Sequence, residues 1–217
     1  SGDASFIEFY RLENKNKNYI IISAKIEKFK NLIHYEVVNK ILNTNKVNAP
    51  KLLSNHYNND MIEISDLGEK SFYDYIIAKK NKLNDYKSLV KLIIKVQKIK
   101  VKKSYKLGKF KVKFLKYSLN NLQKESDLFF DWYLKYCLRK KKISKIKRLL
   151  KKELNKVYKK LKFSNNTFVH RDFHVSNIML KKKKLGLIDS QDAIIGNPLY
   201  DVVSLIDDVR IKLPNNL

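Results

Sequence analysis

Three oxygen-bearing side chains late in the chain have the types and the spacing that phosphoryl transfer requires. Asp172 and Asn177 lie in the polar segment that follows Val169, and Asp189 follows a short apolar run at residues 185–188. A hairpin between the two segments would bring the three side chains to one mouth. A carboxylate can accept the proton of an attacking hydroxyl, while an amide and a second carboxylate offer magnesium the hard oxygens that it prefers. The pattern predicts a magnesium-nucleotide site in which Asp172 is the base and Asn177 and Asp189 bind the metal.

The elements that must position these residues change character near Gly68. Before Gly68 the pattern predicts a β-hairpin from residues 1–12 and 19–23, a helix at residues 31–42 and a strand at residues 61–68. After Gly68, apolar residues recur at helical spacing in four segments, at residues 86–98, 114–138, 144–161 and 202–206. A β-rich part followed by a helical part is an α+β arrangement. We therefore expect two lobes, at residues 1–67 and 68–217.

The predicted helices after Gly68 carry apolar stripes that we expect to face the core. One stripe spans residues 115–136 and includes Trp132, and another spans residues 146–161, with lysine coating the outer face. The basic run at residues 139–142 is interpreted as a solvated loop between these helices. Ser71, with an aspartate three residues later, predicts the start of a further short helix.

The formal net charge of +26 is what a binder of nucleic acid or of an anionic surface would show. The cations are almost all lysine, however, and asparagine, isoleucine and tyrosine are also abundant. AT-rich codon usage produces this combination by itself. No module that combines arginine forks with stacking aromatics is recognisable. We favour genome bias over a nucleic-acid partner, although a basic surface would still attract an anionic substrate such as ATP.

The remaining compositional features indicate an intracellular setting. The single cysteine, Cys137, cannot form an internal disulfide, and no cysteine–histidine cluster has the spacing of a zinc site. No apolar run reaches membrane-spanning length, and the first residues do not read as a signal peptide. We expect a cytoplasmic protein without a membrane partner, and leave its oligomeric state open.

The residues around the predicted site also carry a resemblance to a known family. Residues 170–177 resemble the catalytic loop of the aminoglycoside phosphotransferase and choline kinase superfamily, relatives of protein kinases, and residues 187–189 resemble its metal-binding strand. Residues 188–193 and 196–205 are similar to bacterial anomeric sugar kinases, which phosphorylate N-acetylmuramate and N-acetylglucosamine at C1 in cell-wall recycling. Weaker similarities extend over nearly the whole chain, at residues 2–6, 63–68 and 127–134. The resemblance implies a protein kinase-like two-lobed fold, with a small β-rich N-lobe, a larger helical C-lobe, and ATP and Mg²⁺ as cofactors.

On the nucleotide side, the resemblance assigns roles residue by residue. Three residues of an abbreviated turn would lie over the phosphates: Asp3, Ala4 and Ser5. Three residues near the link between the lobes would line the adenine pocket: Glu63, Ser65 and Leu67. Lys25 would pair with the phosphates and with Glu36, although Lys28 or Lys30 could serve instead. The turn has one glycine, Gly2, where protein kinases use several, so its backbone cradle is weaker.

On the acceptor side, the same resemblance separates substrate contacts from loop support. Three residues would contact a small-molecule sugar substrate: His174, Gln191 and Asp192. Three others would support the catalytic loop: His170, Arg171 and Asp201. The family usually has a strand before the phosphate turn and further helices after residue 214, so we expect the lobes to be truncated at both ends.

Two other functions remain open at this point. The chemistry would be kept if the acceptor were an aminoglycoside or a choline- or ethanolamine-type alcohol, although the lysine-rich helical lobe disfavours a cationic acceptor. A degenerate kinase-like module or a basic nucleic-acid-binding module would be non-enzymatic. The intact set of Asp172, Asn177 and Asp189 argues against degeneration.

Overall fold

The structure is a computed structural model, which describes residues 7–13, 18–24, 30–138, 140–161 and 164–213. Several residues predicted to contact the phosphates lie outside the described residues: Asp3, Ala4, Ser5, Lys25 and Lys28.

A four-stranded antiparallel sheet forms the first part of the chain. Its strands are β1 (Glu8–Leu12), β2 (Tyr19–Ser23), β3 (Leu52–His56) and β4 (Met61–Ser65), in the order β1-β2-β4-β3. Alternate residues of a strand share a face, so Ile62 and Ile64 both point toward helix α1 (Lys30–Thr44), where they pack with Ile22, Leu32 and Tyr35. The predicted hairpin pairing of β1 with β2, the helix and the strand β4 are confirmed.

The rest of the chain is mostly helical, with short strand pairs inserted. Its helices are α2 (Phe72–Ile76), α3 (Leu83–Gln97), α4 (Leu119–Leu128), α5 (Leu134–Cys137), α6 (Lys140–Lys160) and α7 (Leu199–Ile206). Its strands are β5 (Ser104–Leu107), β6 (Phe110–Lys113), β7 (Thr167–Val169), β8 (Ile178–Lys181), β9 (Lys184–Leu187) and β10 (Ile194–Gly196). Three antiparallel pairs result, β5 with β6, β7 with β10 and β8 with β9. The β5–β6 hairpin was not predicted, because its short strands are interrupted by lysine.

The main hydrophobic core lies beneath the β8–β9 hairpin. The second half of α1 supplies Val38, and α3 supplies Leu89 and Ile93. Phe173 and Val175, which lie between Asp172 and Asn177 in the predicted catalytic loop, are completely buried in the same cluster. The loop is therefore anchored by its apolar residues, and α1 connects this core to the sheet.

The stripe predicted at residues 115–136 does not face the core, and this prediction is wrong. Helix α4 begins at Leu119 because the Ser118 side chain caps it, and residues 129–133 form a π-helical turn. A π turn holds more residues than an α turn and rotates the face that follows it. Phe130 and Leu134 are buried, whereas Trp132 is 70% exposed.

Helix α6 also turns its apolar stripe outward, contrary to prediction. Four apolar side chains of this stripe are exposed: Leu149, Leu150, Val157 and Leu161. The helix contacts its neighbours instead through lysines, with Lys147 2.5 Å from Asp131 and Lys151 2.5 Å from Asp127. The face that packs inward is marked by buried Tyr158, which hydrophobic periodicity alone did not predict, whereas the partly exposed ion pairs contribute little stability. The predicted loop at residues 139–142 is largely helix, because α6 begins at Lys140.

No helix in the described part of the chain combines the length and the apolar character that crossing a membrane requires.

Candidate active site

The β8–β9 hairpin and the loop before it bring Asp172, Asn177 and Asp189 together. The side-chain N–H of Asn177 donates to the backbone oxygen of Asp172 at 3.1 Å and lies 3.5 Å from Oδ2 of Asp189. The backbone N–H of Ile188 donates to the Asn177 carbonyl at 3.0 Å, which fixes the two segments in register. The side chains of Asn177 and Asp189 are consequently adjacent, with Asp172 beside them, and we call the surface around these three residues the cleft.

Asp201 holds the backbone of the loop that carries Asp172. Its carboxylate accepts the backbone N–H of His170 at 2.8 Å and that of Arg171 at 2.9 Å. Arg171 has a φ of 76°, in the left-handed region that side chains other than glycine rarely adopt. The paired hydrogen bonds from α7 stabilise this conformation. Burial raises the pKa of Asp201 to about 6, although both N–H donors oppose the shift, so the group is an ionised acceptor at neutral pH.

His170 supports the loop from its buried side. The residue is 1% exposed, and its ring meets Phe173 edge-on with the ring centres 6.2 Å apart. Burial lowers the pKa of His170 to about 4. The imidazole is therefore neutral near pH 7 and packs as part of the core.

The pKa values of two cleft carboxylates are raised, which means that their negative charges are disfavoured unless a cation is present. Burial raises the pKa of Asp172, and the charge of Asp192 raises it further, while Arg171 acts in the opposite direction. Burial likewise raises the pKa of Asp189; the hydrogen bond from Gln191 opposes this, and the charges of Asp172 and Asp192 add to it. A positive charge placed here would relieve the repulsion.

Asn177 and Asp189 fit a magnesium ion by their chemistry. The side-chain N–H group of Asn177 makes the contacts to Asp172 and Asp189. Among the hydrogen bonds of the described residues, none is accepted by the side-chain oxygen of Asn177, so this oxygen is available to a metal ion. No cluster of three or more His, Cys, Asp or Glu residues in the described ranges could hold a metal alone. Magnesium commonly takes only one or two protein ligands and completes its shell with phosphate oxygens and water. The side-chain oxygens of Asn177 and Asp189 match this coordination preference of magnesium.

The nucleotide-side residues are only partly brought together. The Glu36 carboxylate accepts a hydrogen bond from the Tyr57 hydroxyl, and Lys30, at the start of α1, is exposed. The Glu63 side chain lies 3.3 Å from His56, on the sheet face opposite Ile62 and Ile64. The structure therefore turns this side chain away from the α1 side of the sheet.

The link between the two parts of the chain packs directly on the hairpin that carries Asp189. A Cβ added to Gly186 would lie 2.7 Å from Leu67 Cδ1, so a larger residue here would require the Leu67 side chain to shift. The Ser65 hydroxyl accepts the backbone N–H of Lys51 at 2.8 Å. Ser65 and Leu67 therefore belong to a fixed segment beside the cleft.

Arg11, to which the sequence assigned no individual role, binds the same link. Its guanidinium donates to Asp66 Oδ2 at 3.0 Å and to the carbonyl oxygen of Gly68 at 2.9 Å. An arginine in an exposed strand has no local signal for such a contact, because the partners are more than fifty residues away.

The acceptor-side residues occupy different positions relative to the cleft. Gln191 donates its side-chain N–H to Asp189 Oδ1 at 2.8 Å, and thus contacts the predicted metal ligand. His174 lies 3.2 Å from the Asn177 amide, measured from its Nε2 atom. Asp192 is exposed, with Oδ1 3.7 Å from Arg171. Of the three, Asp192 is the most open to a ligand.

A buried contact that the sequence did not reveal joins α1 to the segment after β9 that carries Asp189. The Ser190 hydroxyl donates to Asn39 Oδ1 at 2.7 Å, and both residues are buried. Asn39 follows the apolar helical stripe without a motif of its own, so only the tertiary contact identifies it. The contact places α1 directly behind Asp189.

Comparison with known proteins gives one family and a set of distant relatives. A family model described as the phosphotransferase enzyme family matches residues 1–217. Proteins named N-acetylmuramate/N-acetylglucosamine kinase are similar in sequence. The one from Neisseria meningitidis serogroup B is 24% identical over 213 residues, covering 98% of this chain and 61% of the relative. The one from Pseudomonas aeruginosa is 26% identical over 214 residues, covering 99% and 60%. The chain thus spans about three fifths of the length of these relatives.

Solved structures show the fold. A thermostable mutant of aminoglycoside phosphotransferase APH(4)-Ia, in its apo form, superposes with a TM-score of 0.67 at 12% identity, covering 93% of this chain and 69% of that one. ADP-bound aminoglycoside phosphotransferase APH(2'')-Ib gives a TM-score of 0.61 at 16% identity, covering 94% and 72%. The predicted α+β, protein kinase-like fold is confirmed.

Proposed function

The chain belongs to the phosphotransferase enzyme family, and we propose that it is an ATP-dependent kinase that phosphorylates a hydroxyl of a small molecule. The observation that carries the proposal is the meeting of Asp172, Asn177 and Asp189 in one cleft, through the contacts of the Asn177 amide. The names of the sequence relatives support a kinase. The ADP-bound fold relative supports nucleotide use.

Asp172 is the group that acts on the acceptor. Its carboxylate accepts the proton of the attacking hydroxyl as the phosphoryl group transfers. Burial and the nearby charge of Asp192 raise its pKa, which makes it a stronger base than an exposed aspartate. The bonds from Asp201 to the loop backbone hold it in place.

Asn177 and Asp189 hold Mg²⁺, and the ion supplies charge neutralisation at the phosphates when it is bound. Gln191 orients Asp189 through the bond to Oδ1. We assign Glu63, Ser65 and Leu67 to the adenine side of the cleft. Lys25, paired with Glu36, is our candidate for the nucleotide-contacting lysine, with Lys28 and Lys30 as the alternatives. Asp3, Ala4 and Ser5 are assigned to the phosphates from the sequence resemblance. The N-lobe ends at residue 67, where the link packs on Gly186.

The acceptor that we propose is a sugar, phosphorylated at the anomeric hydroxyl of N-acetylmuramate or N-acetylglucosamine during cell-wall recycling in the cytoplasm. The sequence relatives carry both sugars in their names. We assign Asp192 and His174 to the acceptor, because Asp192 is exposed beside Arg171 and His174 contacts Asn177, and both carry hydrogen-bonding groups for sugar hydroxyls.

A screen of ATP consumption tests the proposal. The chain is incubated with Mg²⁺-ATP and, separately, N-acetylmuramate, N-acetylglucosamine, choline and kanamycin, and ADP is measured. We expect turnover with one or both sugars. Turnover with choline or kanamycin alone would retain the kinase and overturn the sugar assignment, and no acceptor-dependent turnover together with salt-sensitive DNA binding would contradict both.

A further inference from the structure

The guanidinium of Arg171 contacts two carboxylates that come from different parts of the chain. Its Nη2 atom donates to Oε1 of Glu125, in α4, at 2.7 Å. Its Nη1 atom lies 3.7 Å from Oδ1 of Asp192, just beyond the metal-binding strand. The first contact is a direct charged hydrogen bond, while the second is longer than one. Arg171 is thus held more tightly by Glu125 than by Asp192.

Glu125 is itself fixed from its other side. The Tyr117 hydroxyl donates to Oε2 of Glu125 at 2.6 Å. Tyr117 is 7% exposed, and its ring packs edge-on against Tyr200 at 5.5 Å between ring centres. Both oxygens of Glu125 are therefore engaged by donors on defined elements. This carboxylate cannot swing away without breaking two hydrogen bonds.

The arrangement leaves the Asp192 carboxylate open. The Asp192 side chain is 53% exposed, whereas those of Arg171 and Glu125 are 24% and 34% exposed. Arg171 follows His170 and precedes Asp172 in the same loop, so the position of its side chain bears directly on the acceptor side of the cleft. If Glu125 were neutral, the guanidinium would lose its charged hydrogen bond and keep its interaction with the Tyr200 hydroxyl. Among the described residues, Asp192 would then be the remaining carboxylate within 4 Å of it.

From this geometry we propose that Glu125 is a positioning residue for acceptor binding, which keeps Arg171 from closing on Asp192. Asp192 then stays free to accept hydrogen bonds from the hydroxyls of a polyhydroxylated, uncharged acceptor. The inference rests on the proposed function and extends it to a residue of α4. Tyr117 contributes by orienting Glu125.

The test is a steady-state analysis of Glu125→Gln with N-acetylglucosamine as acceptor. Glutamine keeps the shape and can still accept from Tyr117, but it removes the charge that holds Arg171. We expect the KM for N-acetylglucosamine to rise about tenfold, as loss of a charged hydrogen bond would cause, with the KM for ATP within about twofold. A neutral sugar is used so that long-range attraction between Glu125 and the acceptor plays no part.

The matched control is Glu153→Gln, which removes the same charge from α6, where Glu153 forms an exposed pair with Lys156. This variant should leave both KM values unchanged. Tyr117→Phe is the second variant, because it removes the hydroxyl that orients Glu125 and retains the ring. It should raise the KM for the sugar in the same direction but by less.

The variant Asp192→Asn tests whether Glu125 affects sugar binding through Asp192 or only by stabilising the fold. If Glu125 acts through Asp192, adding Glu125→Gln to Asp192→Asn should change the KM for the sugar no further. Additive effects, an equal rise in both KM values, or an unchanged sugar KM in Glu125→Gln would each overturn the inference. Absence of turnover in the unsubstituted chain with every acceptor would instead overturn the proposed function, so the two failures are distinguishable.

Discussion

At the residue scale, Asp189 is a carboxylate whose negative charge is disfavoured in the absence of a cation. Its pKa is raised by burial, and the charges of Asp172 and Asp192 raise it further against the opposing bond from Gln191. The side-chain amide nitrogen of Asn177 lies 3.5 Å from Oδ2 of Asp189, so both residues are next to the proposed metal site. These properties are those of a carboxylate prepared for a divalent ion.

Replacing Asp189 with Ala should remove the magnesium-dependent part of nucleotide affinity. The loss should be on the order of a hundredfold, since even outer-shell partners of a metal contribute ten- to a hundredfold. Calorimetric titration of an ATP analogue with and without Mg²⁺ measures it. Asp131→Ala is the control, because that carboxylate, in the π-helical turn, pairs with Lys147 of α6. Equal Mg²⁺ dependence in both variants would refute the role.

His170 gives a pH dependence of defined sign. Its pKa falls from an ordinary 6.5 to about 4 because it is buried. The unfolded chain therefore binds a proton at a pH where the folded chain does not, and stability decreases as pH falls from 6.5 toward 4. Asp201 acts with the opposite sign between pH 6 and its ordinary value, since burial raises its pKa to about 6.

A His170→Gln variant isolates the histidine contribution, because Asp201 is present in both proteins. The free energy of unfolding of the original chain, relative to the variant, should fall by on the order of 3 kcal/mol between pH 7 and pH 4. Urea unfolding followed by circular dichroism at both pH values measures the difference. A difference that stays constant would mean that His170 is not buried in its neutral form.

The sequence revealed much of the site at this scale. The grouping of Asp172, Asn177 and Asp189 follows from a local hairpin, because turn and strand signals lie within twenty residues. Glu125 could not be found, since it reads as an ordinary polar residue of a surface helix. Its importance arises from contacts with Arg171 and Tyr117, which are tertiary.

At the element scale, periodicity predicted where helices and strands occur better than which way they face. Helix α3 and strand β4 have simple local patterns, and they were predicted. The stripe of α6 was misassigned: its apolar side chains are exposed, while Tyr158 is buried and Lys147 and Lys151 pair with Asp131 and Asp127. A hydrophobic pattern contains no information about such long-range partners.

The contact between α1 and the metal-binding strand offers a test at this scale. Ser190→Ala should leave the Asn39 side-chain oxygen buried without its donor, and should lower the free energy of unfolding by about 1–3 kcal/mol. Urea denaturation measures this loss. Ser144→Ala, at an exposed position of α6, should change stability by less than about 0.5 kcal/mol. Equal effects of the two substitutions would show that the Asn39–Ser190 bond does not join the elements.

At the scale of the whole molecule, a sheet with α1 lies on one side of the link and a helical part on the other. Arg11 and Leu67 fasten the link to both sides, through Gly68 and Gly186 respectively. The cleft residues come from the loop after β7, from the β8–β9 hairpin and from the segment after it.

The net charge of +26 belongs to the molecule as a whole and does not mark the cleft. Lysines of α6 form ion pairs with α4, whereas the cleft contains Asp172, Asp189 and Asp192 around Arg171. Carboxylates at the proposed metal site within a basic protein suit a magnesium–nucleotide complex, since the metal would meet carboxylates while the surface attracts phosphates.

The central claim is that Asp172 is the base of a phosphoryl transfer, and Asp172→Asn tests it most directly. The measurement is acceptor-dependent ADP formation from Mg²⁺-ATP, combined with titration of nucleotide affinity in the same variant. We expect turnover to fall by at least about a hundredfold, with nucleotide affinity within about twofold, because Asn177 and Asp189 remain. Turnover close to that of the unsubstituted chain would contradict the account.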